Sequence, residues 1–337
     1  MRDDGGVRCG LTIWGLSLGI ACGGAPNVGP PQIRKGSPPP ADVAVARAQL
    51  ERYSPKSHAI VKAFETLPRE WKIGRRTHTA TTSIAFDDFI EDGAAESAVS
   101  YLQTAVHEVY HGYSNVMGYK FLAETGVQNF NGLTVVHVED EPILIVRPTS
   151  FPSRDIVATY PAAAHTMRFK RYVSEAPEHQ STQASGVFGL LDEYAAYYHD
   201  ARTAVDLWPW VRGAAPATYE VAMRYTGRLF ATRVPHAEFK FFILHYLWYA
   251  REHRPQVYQQ VMANEEFGRA FTEIDDAYTR LVSKVESIEP GVHQLARQRG
   301  VKVEQVRIVI DDSYPAVLRL LETERYRAIL AELRQPR

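Results

Sequence analysis

The sequence predicts a helix-rich α+β fold, in which a small mixed sheet and one long helix precede a mainly helical C-terminal lobe. Apolar residues recur at steps of three and four from Ala41 onward, as in amphipathic helices. Segments 76–89 and 133–148 are rich in Thr, Val and Ile, which is typical of strands. The 337 residues, 45% of them hydrophobic, are enough for one large domain or two lobes that share a core.

The first 40 residues have the composition of a leader and a tether. The apolar run 10–21 is too short to span a bilayer as a helix, but it suits a signal-peptide core. It ends in "LGIACGG", which resembles the cleavage site of bacterial lipoproteins, where a cysteine becomes the lipidated first residue. That cysteine is Cys22, and the only other one, Cys9, also lies in the leader. The folded part therefore has no disulfide and no thiolate ligand.

We therefore expect a signal peptide over 1–21 and a tether over 22–40, which holds six prolines and four glycines between residues 23 and 40. The resemblance implies a protein of the bacterial cell envelope, on its periplasmic or extracellular face, with a lipid anchor as its contact with the membrane. The alternative is an apolar N-terminal helix that packs on the domain.

The predicted domain, 41–337, begins with an N-terminal lobe over about 41–150. Its elements are two short helices, a strand, a helix and a hairpin, predicted in chain order at 41–53, 55–67, 76–89, 94–117 and 133–148. The hairpin turn is expected near Glu139 to Pro142. The stretch from Thr81 to Phe86 is expected to be an exposed edge strand to which an extended peptide could add.

Irregular structure is predicted for 150–184, followed by a helical C-terminal lobe over about 185–337. The apolar character of "AEFKFFILHYLWYA" on nearly every side predicts a buried helix. The predicted helices cover 186–205, 217–232, 236–253, 255–263, 266–287 and 313–334.

The motif "HEVYH" lies on the predicted helix 94–117, whose core face carries Val99, Leu102, Val106, Val109, Tyr113 and Val116. His107 and His111 are four residues apart, so their imidazoles can converge on one ion. Glu108 lies about 60° from His111 around the helix, beside such an ion without needing to bind it. Two imidazoles, a metal-bound water and a neighbouring carboxylate are what a zinc hydrolase needs. The alternative is a helix with two solvated or core histidines.

A third ligand is expected from "SGVFGLLDEYAAYYHD". Gly186, Gly189, Glu193, Ala196 and Asp200 step by three and four, which gives one helix face with small residues and two carboxylates. We expect this face to pack against the first helix and to present Glu193 to the metal. Asp192 points about 100° away from Glu193 and is the weaker candidate, tested with His199 if Glu193 fails. The alternative is an acidic pair on the surface near a helix start.

These two helices resemble the gluzincin class of zinc metallopeptidases, which implies a zincin-like fold. The resemblance implies that His107, His111 and Glu193 bind Zn²⁺ and that Glu108 is the general base. The family often has an aspartate four residues after the glutamate ligand, where this chain has Tyr197, and Asp200 follows on the same face. Candidates for orienting a ligand or for binding the oxyanion are Tyr197, Asp200 and His199. The isolated histidines His165, His236 and His245 are expected to be core or surface residues.

The predicted function is a zinc-dependent hydrolase, a peptidase acting on peptide or protein substrates. The formal charge of −1 gives no overall basic field for nucleic acid. Two alternatives stay open: a catalytically silent zincin-fold binding lipoprotein, and a structural helical lipoprotein with incidental histidines.

Overall fold

The computed structural model describes seven ranges of the chain: 41–80, 84–90, 98–126, 132–139, 141–213, 218–303 and 313–335. The expected signal peptide, the tether and Cys22 lie outside them. Among the helices of these ranges, none is both long and apolar enough to cross a membrane.

Three helices build most of the N-terminal half. Helices α1 (Ala41–Tyr53) and α2 (Pro55–Thr66) confirm the prediction, and Pro55 occupies the first turn of α2, where its missing N–H costs nothing. Helix α3 (Ala98–Thr125) runs two turns past the predicted end at Met117 and stops at Gly126, whose φ of 70° suits a glycine. The predicted start at Ala94 lies outside the described ranges.

The described strands form two separate antiparallel pairs, so the expected mixed sheet is wrong for this part of the chain. Strands β1 (Glu70–Ile73) and β2 (Arg76–Thr79) form one hairpin. Strands β3 (Leu133–Val136) and β4 (Ile143–Val146) form the predicted second hairpin.

The strand predicted over 76–89 is too long. Residues 84–85 have no regular structure, and Phe86–Phe89 form a 3₁₀ turn, while 81–83 lie outside the described ranges. Phe86 is buried, and the carboxylate of Asp88 accepts a hydrogen bond from the backbone N–H of Ala85 at 3.0 Å. This local bond favours a turn over a strand, so the expected edge strand from Thr81 to Phe86 is wrong at its described end.

The second half is helical, as predicted. Its helices are α4 (Val187–Asp206), α5 (Trp208–Gly213), α6 (Tyr219–Ala231), α7 (Arg233–His253), α8 (Pro255–Met262), α9 (Glu265–Gln298), α10 (Tyr314–Leu321) and α11 (Glu324–Leu333). Three details differ from the prediction: α5 was not expected, α9 continues through Pro290, and 313–334 is two helices rather than one. The expected irregular stretch contains only short turns, among them a single π-turn at Lys170–Ser174.

The core is continuous from the first helices to the last, and α3 lies inside it. Helix α3 packs against α4, α2, α1, β3 and α6, while α4 also packs against α7 and α9. Helix α3 is therefore buried nearly all round, with Gln103 and Tyr110 fully inaccessible as well as the predicted stripe from Leu102 to Val116. The α3–α4 contact brings the two chemistry-bearing helices together. Helix α7 is buried as expected.

Candidate metal centre

Three side chains from α3 and α4 converge on one point. The Nε2 atoms of His107 and His111 are 3.3 Å apart, and Glu193 Oε2 lies 3.7 Å and 3.6 Å from them respectively. The two imidazoles come from successive turns of α3, and the carboxylate comes from α4 packed across it. We call these three residues the ligand group. It could hold a metal ion.

Glu193 is buried within this group without a conventional partner. It is 5% exposed, and Oε2 has no hydrogen bond to any described residue, since 3.6 Å is too long for one. Burial raises the pKa of Glu193; His111 opposes this, whereas Asp192 and Glu108 add to it. A buried carboxylate next to two others costs free energy unless a positive charge is supplied. A bound cation would supply that charge.

Asp192 holds His111 from the opposite side of the ring. His111 Nδ1 donates a hydrogen bond to Asp192 Oδ2 at 2.8 Å, which leaves Nε2 directed at the ligand group. Burial lowers the pKa of His111, but the carboxylates of Asp192 and Glu193 outweigh burial and leave this pKa well above its ordinary value. Asp192 thus contacts a ligand rather than joining the ligand group, as metal-bound histidines commonly require.

His107 is the more enclosed histidine, at 3% exposure against 19% for the side chain of His111. The Tyr197 ring packs edge-on against the His107 ring with centroids 4.6 Å apart. Burial and then His111 lower the pKa of His107 well below its ordinary value, and Arg171, Arg168 and Arg228 lower it further. Solvent therefore reaches the group from the His111 side.

Glu108 follows His107 on α3 and is not one of the three residues of the ligand group. It is 8% exposed, and its charge is close enough to contribute to the raised pKa of Glu193. The expectation that Glu108 flanks a metal without being one of its ligands stays a prediction.

Gly186 and Gly189, at the start of the α4 sequence, have a different role from the expected one. A Cβ on Gly189 would lie 2.1 Å from the carbonyl oxygen of Ser181, so this glycine admits the 181–184 turn rather than α3. Gly186 precedes α4 at φ 55°, packed beneath Phe151 and Tyr246. The expectation that these glycines serve the contact between the two motif helices is wrong. Gly112, which follows the second histidine of α3, allows a close approach of α2, since a Cβ on Gly112 would lie 2.7 Å from the Phe64 ring.

His199 makes its hydrogen bonds to residues outside the ligand group. Its Nε2–H donates to the His137 carbonyl at 2.8 Å, and its Nδ1 accepts from Arg202 at 2.7 Å. Burial and the charge of Arg202 hold the pKa of His199 well below its ordinary value. With both nitrogens occupied and 0% exposure, His199 is neither a ligand nor an oxyanion donor in this structure.

The two other candidates of α4 differ in their relation to the group. Tyr197 stays beside it, and its hydroxyl is 3.0 Å from the hydroxyl of Tyr172. Burial raises the pKa of Asp200, while Arg228 and Arg168 act in the opposite direction. Asp200 is therefore associated with arginines, and no hydrogen bond connects it to either ligand histidine in the described ranges.

The three isolated histidines lie outside the ligand group, as expected. Both ring nitrogens of His245 are within hydrogen-bond distance of hydroxyls, with Tyr326 at 2.7 Å and Thr159 at 3.2 Å, and burial lowers its pKa to about 3. His236 lies 3.3 Å from the carboxylate of Asp275. His165 stacks on Phe169 with ring centroids 4.5 Å apart.

Sequence reasoning missed two features of the site. The orienting role of Asp192 depends on how α4 is rotated against α3, which helical spacing does not determine. The arginines whose charges lower the pKa of His107 come from the turns at 167–174 and from α6, and no motif marks them. Basic residues on two segments are too common a pattern to have indicated them.

Comparison of the chain with protein-family models, with curated proteins and with solved structures finds no match.

Proposed function

We propose that the protein is a zinc-dependent peptidase in which His107, His111 and Glu193 bind the metal and Glu108 is the general base. The observation that carries the proposal is the set of separations among the three ligand atoms, 3.3, 3.6 and 3.7 Å. In a regular tetrahedron with metal–ligand bonds of about 2.1 Å, ligand atoms lie about 3.4 Å apart. One ion at the centre could therefore reach all three with little movement.

The choice of zinc rests on ligand type and spacing. Two imidazoles, one carboxylate and an open fourth position are a usual catalytic zinc set. The same three ligands also serve iron in six-coordinate sites, where neighbouring ligand atoms with similar bonds lie about 3.0 Å apart. The observed separations lie nearer the tetrahedral spacing.

The chain's own residues divide the work of hydrolysis. A bound zinc ion lowers the pKa of a water molecule and polarises a carbonyl. Glu108 would accept the proton of that water and deliver it to the leaving amine. Asp192 keeps His111 in the orientation that directs Nε2 inward. Tyr197 stays the candidate donor to the oxyanion, since its ring lies against His107.

The resemblance of "HEVYH" and the later glutamate to the gluzincins makes peptide bonds the proposed substrate. The rival is a zincin-fold protein that binds peptide without cleaving it. An intact glutamate at position 108, 8% exposed beside the ligand group, favours the enzyme.

The test compares wild type with Glu108→Gln on a broad peptide library after zinc loading. The substitution keeps size and hydrogen bonding but removes the base, so zinc content and fold should be retained. Turnover should fall by about 10²–10⁴. If wild type cleaves no peptide with zinc bound, and both proteins bind peptide equally, the protein is a binding module and the enzyme proposal is wrong.

We also propose that the protein is a lipid-anchored component of the bacterial cell envelope, on the basis of "LGIACGG" and the proline-rich tether. One acyl chain binds membranes only marginally, so the anchor should carry more than one. Cys22→Ser should abolish incorporation of labelled fatty acid. Absence of label in the wild-type protein would contradict the anchor and leave the metal proposal intact.

A further inference from the structure

We infer that a cavity between α2, α4 and α9 binds a small molecule that carries a phosphate group. The cavity has a volume of about 380 Å³, and sites for small molecules commonly have volumes of about 300–1,000 Å³. None of the residues that line it belongs to the ligand group. The inference therefore goes beyond the proposed peptidase function and does not depend on it.

Four parts of the fold form the walls of this cavity. Lys56 comes from the first turn of α2, and Glu139 comes from the turn between β3 and β4. Arg202 comes from α4. Arg280 and Lys284 are four residues apart on α9, so they share one face of that helix. The cavity thus brings together charged side chains that are distant in the sequence.

The described lining carries more positive than negative charge. Its charged members are four cations and two carboxylates, namely Lys56, Arg202, Arg280, Lys284, Glu139 and Asp206. The whole chain has a formal charge of −1, so this excess of two positive charges is local. Like charges around one cavity repel each other, and an anion between them would turn that repulsion into attraction.

The two carboxylates are engaged mainly by the two lysines. Glu139 accepts hydrogen bonds from Lys56 and from the hydroxyl of Tyr198. Asp206 lies 3.5 Å from the ammonium group of Lys284. These pairs balance the lysines and leave the two arginines as the excess positive charge.

Arg202 is the buried arginine of this cavity. It is 5% exposed, its Nε has no hydrogen bond to any described residue, and the two bonds of its Nη1, to a carbonyl and a hydroxyl, are long at 3.4 and 3.5 Å. Glu139 Oε2 lies 3.8 Å from Nη1, but Lys56 binds the same oxygen. Burial of a guanidinium costs free energy unless an opposite charge is close. An anion in the cavity would supply the charge that Arg202 shares with Lys56.

Arg280 is the exposed arginine of this cavity. In the part of the chain that the structure describes, it has no hydrogen-bond or ion-pair partner. An exposed arginine by itself is usually a solvated surface group. Arg280 differs because it lines the same cavity as Arg202, so that one anionic ligand of the size of the cavity can contact both.

A phosphate group fits this lining better than a carboxylate does. A phosphate monoester carries about −1.5 to −2 charges at pH 7 and has three strong acceptor oxygens, whereas a carboxylate carries a single charge on two oxygens. The phosphate therefore matches an excess of two positive charges. The cavity is larger than a phosphate group alone, and its lining includes Tyr53 and Leu281, which offer apolar surface to the organic part of the ligand.

The experiment measures binding to the full-length protein by calorimetric titration with inorganic phosphate, phenyl phosphate and benzoate. We expect phenyl phosphate to bind about 10-fold more tightly than inorganic phosphate, because its ring buries apolar surface. It should also bind about 10-fold more tightly than benzoate, because it makes at least one more hydrogen bond between charged groups.

Two substitutions in the lining should change the affinity for phenyl phosphate in opposite directions. Arg280→Gln should weaken binding by about 10-fold, because it removes a charged donor. Glu139→Gln should strengthen binding by about 3-fold, because it removes a negative charge from a partly exposed position. Arg297→Gln is the matched control, since it removes an exposed cation of α9 that does not line the cavity. Phosphate bound to a metal at the ligand group would respond to none of the three.

If neither phosphate binds, or if Arg280→Gln and Glu139→Gln both leave the affinity unchanged, the site is wrong. If benzoate binds as tightly as phenyl phosphate, the assignment of a phosphate ligand is wrong. Thermal melting of each variant checks that it is folded, and Arg280→Gln, which removes no described contact, keeps the test decisive if Glu139→Gln misfolds.

Discussion

Two buried carboxylates, Asp275 and Glu193, have opposite surroundings. Asp275 of α9 is fully inaccessible and accepts hydrogen bonds from Tyr194 at 2.9 Å, Lys240 at 2.9 Å and Arg334 at 2.6 Å. Glu193 is also buried, one residue before Tyr194, yet its Oε2 has two imidazole nitrogens at 3.6–3.7 Å and no hydrogen bond from a described residue.

The pKa values of these two carboxylates are shifted in opposite directions. Burial raises the pKa of Asp275, but the hydrogen bond from His236 and the charge of Lys240 leave it well below its ordinary value. Burial leaves the pKa of Glu193 raised, because Asp192 and Glu108 offset the attraction of His111. The negative charge of Asp275 is therefore balanced by cationic side chains of the protein. The charge of Glu193 is not balanced in this way, and a bound cation would balance it.

The largest expected difference is the response to zinc. At free zinc a thousand times the dissociation constant, a ligand that binds only the folded state adds about 4 kcal/mol to the free energy of unfolding. For a domain of this size that corresponds to a rise in melting temperature of about 8 °C. Glu193→Gln should abolish most of the rise, measured by calorimetry with and without a chelator. An equal rise in both proteins would mean that zinc stabilises the protein from another site.

The opposite pattern is expected for Asp275→Asn. It should lower the free energy of unfolding by about 3 kcal/mol with or without zinc, because Lys240 loses its counter-ion and Arg334 keeps only the exposed Asp276. We choose the lower end of the range for broken buried pairs, since both cations keep partial contact with water. Glu193→Gln without zinc is the matched control. Its free energy of unfolding should be above that of wild type by no more than about 1 kcal/mol, because the substitution removes a buried carboxyl group whose pKa is raised.

Acid should remove the effect of Asp275→Asn. The folded-state pKa of Asp275 lies below its unfolded value of about 3.9, so its contribution is present above that pH and is lost as the pH falls further. Urea titrations should therefore show wild type and Asp275→Asn converging below about pH 4. A constant difference down to pH 2 would mean that the carboxylate charge is not what stabilises this cluster.

The smallest expected effect concerns the orientation of His111. Asp192→Asn should weaken zinc binding by about 10-fold, at the low end for a residue that holds a ligand in place, since the amide oxygen still accepts from Nδ1. Competition with a zinc chelator measures it. Asp276→Asn is the control, because it changes an exposed partner of Arg334 and should leave zinc affinity unchanged. Unchanged affinity in both would show that Asp192 has no part in ligand orientation.

The two clusters also differ in how far the sequence predicted them. His107, Glu108 and His111 lie within five residues of one helix, so helical periodicity alone places them together. Glu193 was chosen correctly as the carboxylate that faces them, although the glycine argument for its face was wrong, because Gly189 admits a turn instead. The predicted helices followed from the same local pattern.

What the sequence could not predict depends on contacts between distant segments. The Asp275 cluster joins α4, α7, α9 and the end of α11, and none of its members stands out in a local pattern. The hydrogen bond of Asp192 to His111 depends on the rotation of α4. The prediction of an edge strand was wrong at its described end because Asp88 stabilises a turn there, where the alternation of residue types had suggested an extended chain.

The most direct test of the central claim is the zinc content of three purified proteins: wild type, Glu193→Gln and Asp275→Asn. The account predicts one zinc per chain in wild type and in Asp275→Asn. It predicts less than one in Glu193→Gln after dialysis against a weak chelator. Equal zinc in Glu193→Gln and wild type, or none in a folded wild type, would contradict the assignment of His107, His111 and Glu193 as a metal site.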